Sequence, residues 1–127
     1  MIGLCRCPHA PFSLRLYDFA RRALGDAGMQ RAVAGGVTFA YGTDCGVFLH
    51  EQNNRDFGMM QSLGMASADI LKTATSNAAT LLGTPDRGRI APGLLANLVA
   101  FPGDLRNGVT PLEQPPAFLM LGGRQLV

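Results

Sequence analysis

Val-Thr-Phe-Ala-Tyr-Gly-Thr-Asp-Cys-Gly, residues 37 to 46, is the stretch that decides the fold of this chain. An apolar run ends at Gly42 and passes into a glycine-bearing segment whose first acidic residue is Asp44. This order is typical of a buried parallel strand that ends in a polar loop. A carboxylate at the carboxyl end of such a strand can bind a metal or take a proton from metal-bound water. Asp44 is therefore the central candidate for a functional residue.

The sequence before this strand predicts a helix. Ser13 can cap it, and helical spacing relates the apolar residues that follow, which are Leu16, Tyr17, Ala20, Ala23 and Leu24. Gly25 and Gly28 interrupt the pattern, a shorter helical piece covers 29–34, and Gly35-Gly36 predicts a turn into the strand. Helix, glycine turn and apolar strand together make the αβ half of a repeating α/β unit.

Helices are also predicted after the strand, followed by a small β-module. One helix covers residues 54–63 and stops at Gly64, and a second begins at Ser67 and ends at Gly83. Its apolar face would hold Leu71, Ala74, Thr75, Ala78 and Leu82. Short strands are predicted at 88–92, at 97–101, and in a hairpin of 117–121 and 124–127 around Gly122-Gly123.

Composition bounds the class of protein. Hydrophobic residues make up 47% and charged residues 16% of the 127 residues, which indicates a globular core-forming chain. A net charge of +2 with dispersed basic residues argues against nucleic-acid binding. No apolar stretch approaches the roughly 20 residues that span a bilayer. The odd set of cysteines, Cys5, Cys7 and Cys45, fits a reducing compartment, so a cytoplasmic protein is expected.

Four blocks in order carry a resemblance to a known family. They are Gly36 to Asp44, Leu63 to Leu71, Ala74 to Gly83 and Arg87 to Ala100. The chain resembles the metal-dependent amidohydrolase superfamily, and most of all its imidazolonepropionase-like and dipeptide-hydrolysing branch. Ordered blocks over most of the chain are far more specific than one short motif. One departure is Asn97, which stands where the family pattern has aspartate.

The resemblance implies a fold class and a domain arrangement. The expected fold is α/β, the carboxyl-terminal fragment of a TIM (β/α)8 barrel with its last strand and following helices, plus part of a small β-sandwich. Residues 1–12 would be an unstructured leader, 13–84 the last αβα portion of the barrel and 85–127 the partial sandwich. Length agrees with this reading, because a complete barrel takes roughly 250 residues.

The resemblance also implies a reaction and site residues. The complete enzyme would hydrolyse a carbon–nitrogen bond of an amide, cyclic amide or dipeptide-like substrate with metal-activated water. Asp44 would be metal ligand and general base, and the metal would be a divalent cation such as zinc. His50 would contact substrate, although a loop histidine without a partner ligand can equally be a solvated side chain.

The ligand set in this chain is incomplete. Family members use a His-x-His pair and two further histidines, whereas His9 and His50 are the only histidines here and no His-x-His occurs. Zinc needs at least three protein ligands, so the isolated chain is expected to be inactive and to bind no metal tightly. The alternative is a noncatalytic remnant, or half of a split enzyme, that acts as an association module. Self-association or a complementing chain is predicted in either case.

Overall fold

The computed structural model describes residues 15–42 and 53–127, and its first part is a β-α-β unit. Strand β1 (Arg15–Leu16) leads into helix α1 (Tyr17–Ala34) and then into strand β2 (Phe39–Ala40). The two strands are parallel, with Leu16 opposite Ala40. The predicted apolar strand is thus confirmed over its two central residues. The helical prediction is wrong at Leu16, because pairing with β2, which local spacing does not show, makes this residue a strand residue.

Helix α1 is interrupted at Gly25, as predicted: its φ of 64° and ψ of 173° are not helical, and two helical pieces meet there at a kink. Gly28 lies within the second piece and does not interrupt it. The helix ends at the predicted glycine turn, where Gly36 adopts φ 72°. There Val37 N donates to Ala32 O and Gly36 N donates to Val33 O, each at a distance of 3.0 Å. This pair of bonds is a Schellman motif, which satisfies carbonyl groups left free at a helix end.

Three short helices follow: α2 (Arg55–Ser62), α3 (Ser67–Ala74) and α4 (Ser76–Leu82). Gly64 and Gly83, both at positive φ, follow the ends of α2 and α4 as predicted. The single helix predicted from Ser67 to Gly83 is wrong, because the chain breaks at Thr75 with φ −125° and ψ −98°. The break lets the backbone of α3 bond to β2 instead of to α4.

The hydrophobic core joins α1, β2, α2 and α3 to a segment that contains two 3₁₀ helices, Leu105–Asn107 and Thr110–Glu113. Its buried members are Met29, Phe39, Met60, Leu63, Met65, Ile70, Val109 and Leu112. Residues 105–113 belong to the predicted partial sandwich at 85–127, and their sequence predicts no packing role. Val109 and Leu112 nevertheless close the core over α2 and α3.

Replacing Leu112 by alanine tests this closing role. Leu112 is 3% exposed, and the change is expected to cost at least about 2 kcal/mol of unfolding free energy through lost burial and a residual cavity. Leu82→Ala is the matched control, because Leu82 is 68% exposed in α4 and alanine is also a good helix former. Urea unfolding of both variants measures the difference. Equal midpoints for the two would show that residues 105–113 do not close the core.

The carboxyl-terminal part forms a three-stranded antiparallel sheet in the order β3 (Leu98–Ala100), β4 (Phe118–Leu121) and β5 (Arg124–Gln125). These three predicted strands are confirmed in slightly shorter form. The strand predicted at 88–92 is wrong, since this stretch consists of turns and bends, with Ile90 89% exposed. The amide oxygen of Asn97 accepts from Gly122 N at 2.8 Å. An aspartate oxygen could accept the same bond, so the Asn97 departure does not remove this contact.

Candidate functional site

The carboxyl end of β2 lies in the protein interior. Phe39 is 3% and Ala40 is 1% exposed. The first range of described residues ends at Gly42. Asp44, Cys45 and His50 fall in 43–52, outside the described residues. The same holds for Cys5, Cys7 and His9 and for the predicted leader at 1–12. The structure therefore places the strand that leads to Asp44 and leaves the two predicted site side chains as predictions.

The break between α3 and α4 forms two hydrogen bonds with β2. Tyr41 N donates to Thr73 O at 2.9 Å, and Asn77 Nδ2 donates to Phe39 O at 2.8 Å. In an unbroken helix Thr73 O would accept from the backbone N–H of Asn77. The carbonyl of one strand residue and the N–H of the residue two positions later point to the same edge. A helix break thus provides the acceptor and the donor that a neighbouring strand would provide.

Asn77 lies in the first turn of α4, and its side chain reaches β2. Its amide bonds to β2, inside the same α/β unit. The sequence signal that could have identified the contact is an asparagine that interrupts a long helical pattern, since asparagine side chains readily bond to backbone groups.

Tyr41 ties the start of the undescribed segment 43–52 to its end. The Tyr41 hydroxyl donates to the backbone carbonyl of Asn53. The Tyr41 ring packs against Phe57 in α2, with centroids 4.7 Å apart and planes tilted by 32°. On the far side, Asn54 Nδ2 donates to Leu112 O at 3.2 Å. Tyr41 and residues 53–54, which flank the segment that carries Asp44 and His50, are therefore held against the core.

Tyr41→Phe is expected to loosen this tie while keeping the ring. Loss of one partly buried hydrogen bond should lower the unfolding free energy by about 1 kcal/mol. Amide hydrogen exchange should quicken by about fivefold at 53–55, the factor that corresponds to one such bond. Phe57→Leu, which keeps the hydroxyl bond and removes the ring contact, should lower stability with a smaller effect on exchange at 53–55. Exchange unchanged in Tyr41→Phe would contradict the tie.

The described residues do not fit a metal centre by themselves. No three histidine, cysteine, aspartate or glutamate side chains in 15–42 and 53–127 are grouped so that they could hold a cation. Two cavities are present elsewhere. One, of about 410 Å³, lies at the carboxyl end of α4 beside Arg87 and Arg89. The other, of about 290 Å³, lies at the amino end of β2 and not at the end that leads to Asp44.

Two carboxyl groups on the surface, those of Asp86 and Asp104, have a lowered pKa. The Arg87 guanidinium hydrogen-bonds to Asp86 and holds the pKa of that carboxyl below its usual value. Arg106 does the same to the pKa of Asp104, whose carboxylate also caps a 3₁₀ helix by accepting from Arg106 N at 2.9 Å. A lowered carboxyl pKa adds stability above its unfolded value and loses it as pH falls through the folded value. Both pairs are solvent-exposed, so they are stabilising contacts of small weight and not catalytic groups.

A parallel β-α-β unit, followed by helices and a small antiparallel sheet, defines an α/β protein, and its likeness to amidohydrolases relates the fold to the TIM barrel. The sequence model of the amidohydrolase family matches residues 1–125, and the chain belongs to this family. No curated protein gives a significant match. Within residues 15–42 and 53–127, every helix is too short or too polar to span a bilayer.

Solved structures agree with the family. A Xaa-Pro dipeptidase with methionine bound in its active site is similar over 80% of this chain, with 31% identity and a TM-score of 0.74. A second structure, of an amidohydrolase, is similar over 81% with 26% identity and a TM-score of 0.67. A third, of an uncharacterised protein at 20% identity and a TM-score of 0.72, shares the fold. The chain spans about a quarter of the length of these structures.

Proposed function

We propose that this chain is the carboxyl-terminal part of a metal-dependent amidohydrolase that hydrolyses carbon–nitrogen bonds. The observation that supports this most is the family match over residues 1–125, with β2 as the buried parallel strand that runs into Asp44. The likeness to a Xaa-Pro dipeptidase makes dipeptides the first substrate class to test.

In this proposal the chain contributes one acid–base group. The Asp44 carboxylate holds the attacking water, accepts its proton and passes the proton to the departing nitrogen, which requires hydrogen-bond reach of about 2.6 to 3.2 Å. His50 contacts the substrate. A divalent cation, with zinc as the first candidate, would lower the pKa of the water and polarise the substrate carbonyl when bound.

The remaining metal ligands must come from outside this chain. A catalytic zinc site takes three protein ligands, and Asp44 is the one ligand that the family pattern assigns here. The isolated chain is therefore proposed to be inactive and to bind no metal tightly. Apolar side chains exposed on the described surface support association with further polypeptide. The most exposed are Ile90 at 89%, Leu82 at 68% and Val127 at 62%.

A chimeric enzyme tests the function. The matching quarter of the Xaa-Pro dipeptidase is replaced by this chain, so that the other ligands are present. The folded chimera, loaded with zinc, is expected to hydrolyse a dipeptide panel that includes Xaa-Pro substrates. Circular dichroism and cooperative unfolding check that it folds. A folded, metal-loaded chimera without hydrolysis of any dipeptide or amide would contradict the proposal.

The second candidate is a noncatalytic association module. The same exposed apolar side chains favour it, because they need a partner surface and no chemistry. The chimera separates the two candidates, since a module of this kind would support folding and assembly without turnover.

A further inference from the structure

The side chain of Asn77 binds the edge of β2, where the backbone of a neighbouring strand would normally form the hydrogen bond. Its amide donates to Phe39 O, and Phe39 and Ala40 are buried, so this carbonyl has little access to water. Two residues later, Tyr41 N is held by Thr73 O. The Asn77 and Thr73 bonds thus fix β2 on one edge, while the other edge pairs with β1.

The two contacts depend on one another through the break at Thr75. Helix α4 begins at Ser76, so Asn77 lies in its first turn, and Thr73 lies in the last turn of α3. Thr73 itself is 1% exposed, and its hydroxyl donates to Ile70 O at 2.7 Å, which ties it to the core. The break therefore spaces the Asn77 amide and the Thr73 carbonyl so that they match Phe39 O and Tyr41 N on one edge of β2. Both groups are attached to helices.

We propose that Asn77 is a positioning residue that fixes the height and register of β2, and through β2 the residues that lead to Asp44. The link to Asp44 rests on the proposed function, whereas the hold on β2 does not. Asp44 follows Ala40 by four positions in the sequence, so under the proposed function the register of β2 decides where the segment toward Asp44 begins. Displacements of about 1 Å at a catalytic group can cost two orders of magnitude in rate.

The test compares Asn77→Leu and Asn77→Asp in the full chain by amide hydrogen exchange of residues 39–42. Leucine removes the donor at similar size. Protection at Tyr41 is expected to fall by about five- to tenfold, the factor that corresponds to one hydrogen bond of ordinary net strength. Aspartate should be as damaging at neutral pH, because an ionised carboxylate cannot donate and repels the Phe39 carbonyl.

The pH dependence of Asn77→Asp separates positioning through this one bond from a general loss of structure. A protonated carboxyl can donate, so protection at Tyr41 should return toward the wild-type value as the pH falls below about 4, whereas Asn77→Leu should show no such return. Ratios to wild type at each pH remove the intrinsic pH dependence of exchange. An acidic residue in the first helical turn is itself favourable, so Ser76→Asp controls for that effect.

Asn97→Leu is the control for location, because Asn97 also makes one side-chain hydrogen bond to the backbone, from Gly122 N, beside the three-stranded sheet. Its effect should fall on 121–123 and leave 39–42 unchanged. Unchanged protection in Asn77→Leu, or Asn77→Asp without recovery at low pH, would overturn the hold on β2. Altered protection at 39–42 in a chain whose chimera is inactive would refute the proposed function and leave the hold on β2 standing.

Discussion

Asp44→Asn in the zinc-loaded chimera is expected to lower kcat/KM for dipeptides by about 10³-fold or more. Asparagine keeps the size of the side chain and removes the negative charge and the proton acceptor, and general acid–base groups contribute about 10² to 10⁴ in rate. Loss of a metal ligand would add to this. The acidic limb of the pH–rate profile should also change, since the group that must be ionised is gone.

Asp69→Asn is the control for Asp44→Asn. Asp69 forms an exposed ion pair with Lys72 at 2.8 Å on α3 and lines the cavity at the amino end of β2, opposite the end that leads to Asp44. Its activity should match that of the unsubstituted chimera within about twofold, because exposed pairs contribute little. Full activity of Asp44→Asn with retained metal would remove Asp44 from the mechanism, whatever the activity of the family.

Gly88→Ala is expected to destabilise the chain by about 3 kcal/mol or more, since strain at positive φ and overpacking add to each other. Gly88 has φ +87°, and a Cβ there would lie 2.6 Å from Ala79 Cβ and 2.9 Å from Thr75 O. These atoms belong to α4 and to the break that holds β2. Thermal unfolding should therefore shift strongly, and protection at Tyr41 should fall with it.

Gly93→Ala separates the two contributions to this cost. Gly93 has nearly the same conformation, φ +83°, but a Cβ there would meet nothing within 4 Å. Its cost should be that of backbone strain alone, about 1 kcal/mol. Similar losses in both variants would mean that the turn at Gly88 does not pack on the helix break.

Local signals in the sequence predicted much of the secondary structure. The glycine turns at Gly36, Gly64 and Gly83 were found because positive φ at a helix end favours glycine strongly. The hairpin around Gly122-Gly123 is predictable because a two-residue hairpin turn favours positive φ, which both glycines adopt. The strand at 37–41 was recognised by its apolar run, and the family by ordered blocks.

Elements that depend on distant partners were not predicted. The spacing of Leu16 predicts a helix, but its pairing with Ala40 places it in a strand. The helix break at Thr75 is favourable because β2 provides a hydrogen-bond donor and an acceptor there. The packing of Val109 and Leu112 has no periodic signal, because Leu112 lies in a four-residue 3₁₀ helix and Val109 directly precedes it.

The sequence by itself determined the family, the strand that leads to Asp44 and the incomplete set of histidines, because each is written in residue identity and local order. Only the tertiary structure decided how β2 is held. The Asn77 amide and the Thr73 carbonyl each bind β2 from more than 30 residues away in the chain. Phe39 and Asn77, for example, are separated by 38 positions. Local propensity cannot encode such a contact, because its stability arises only when both ends are already buried against the same core.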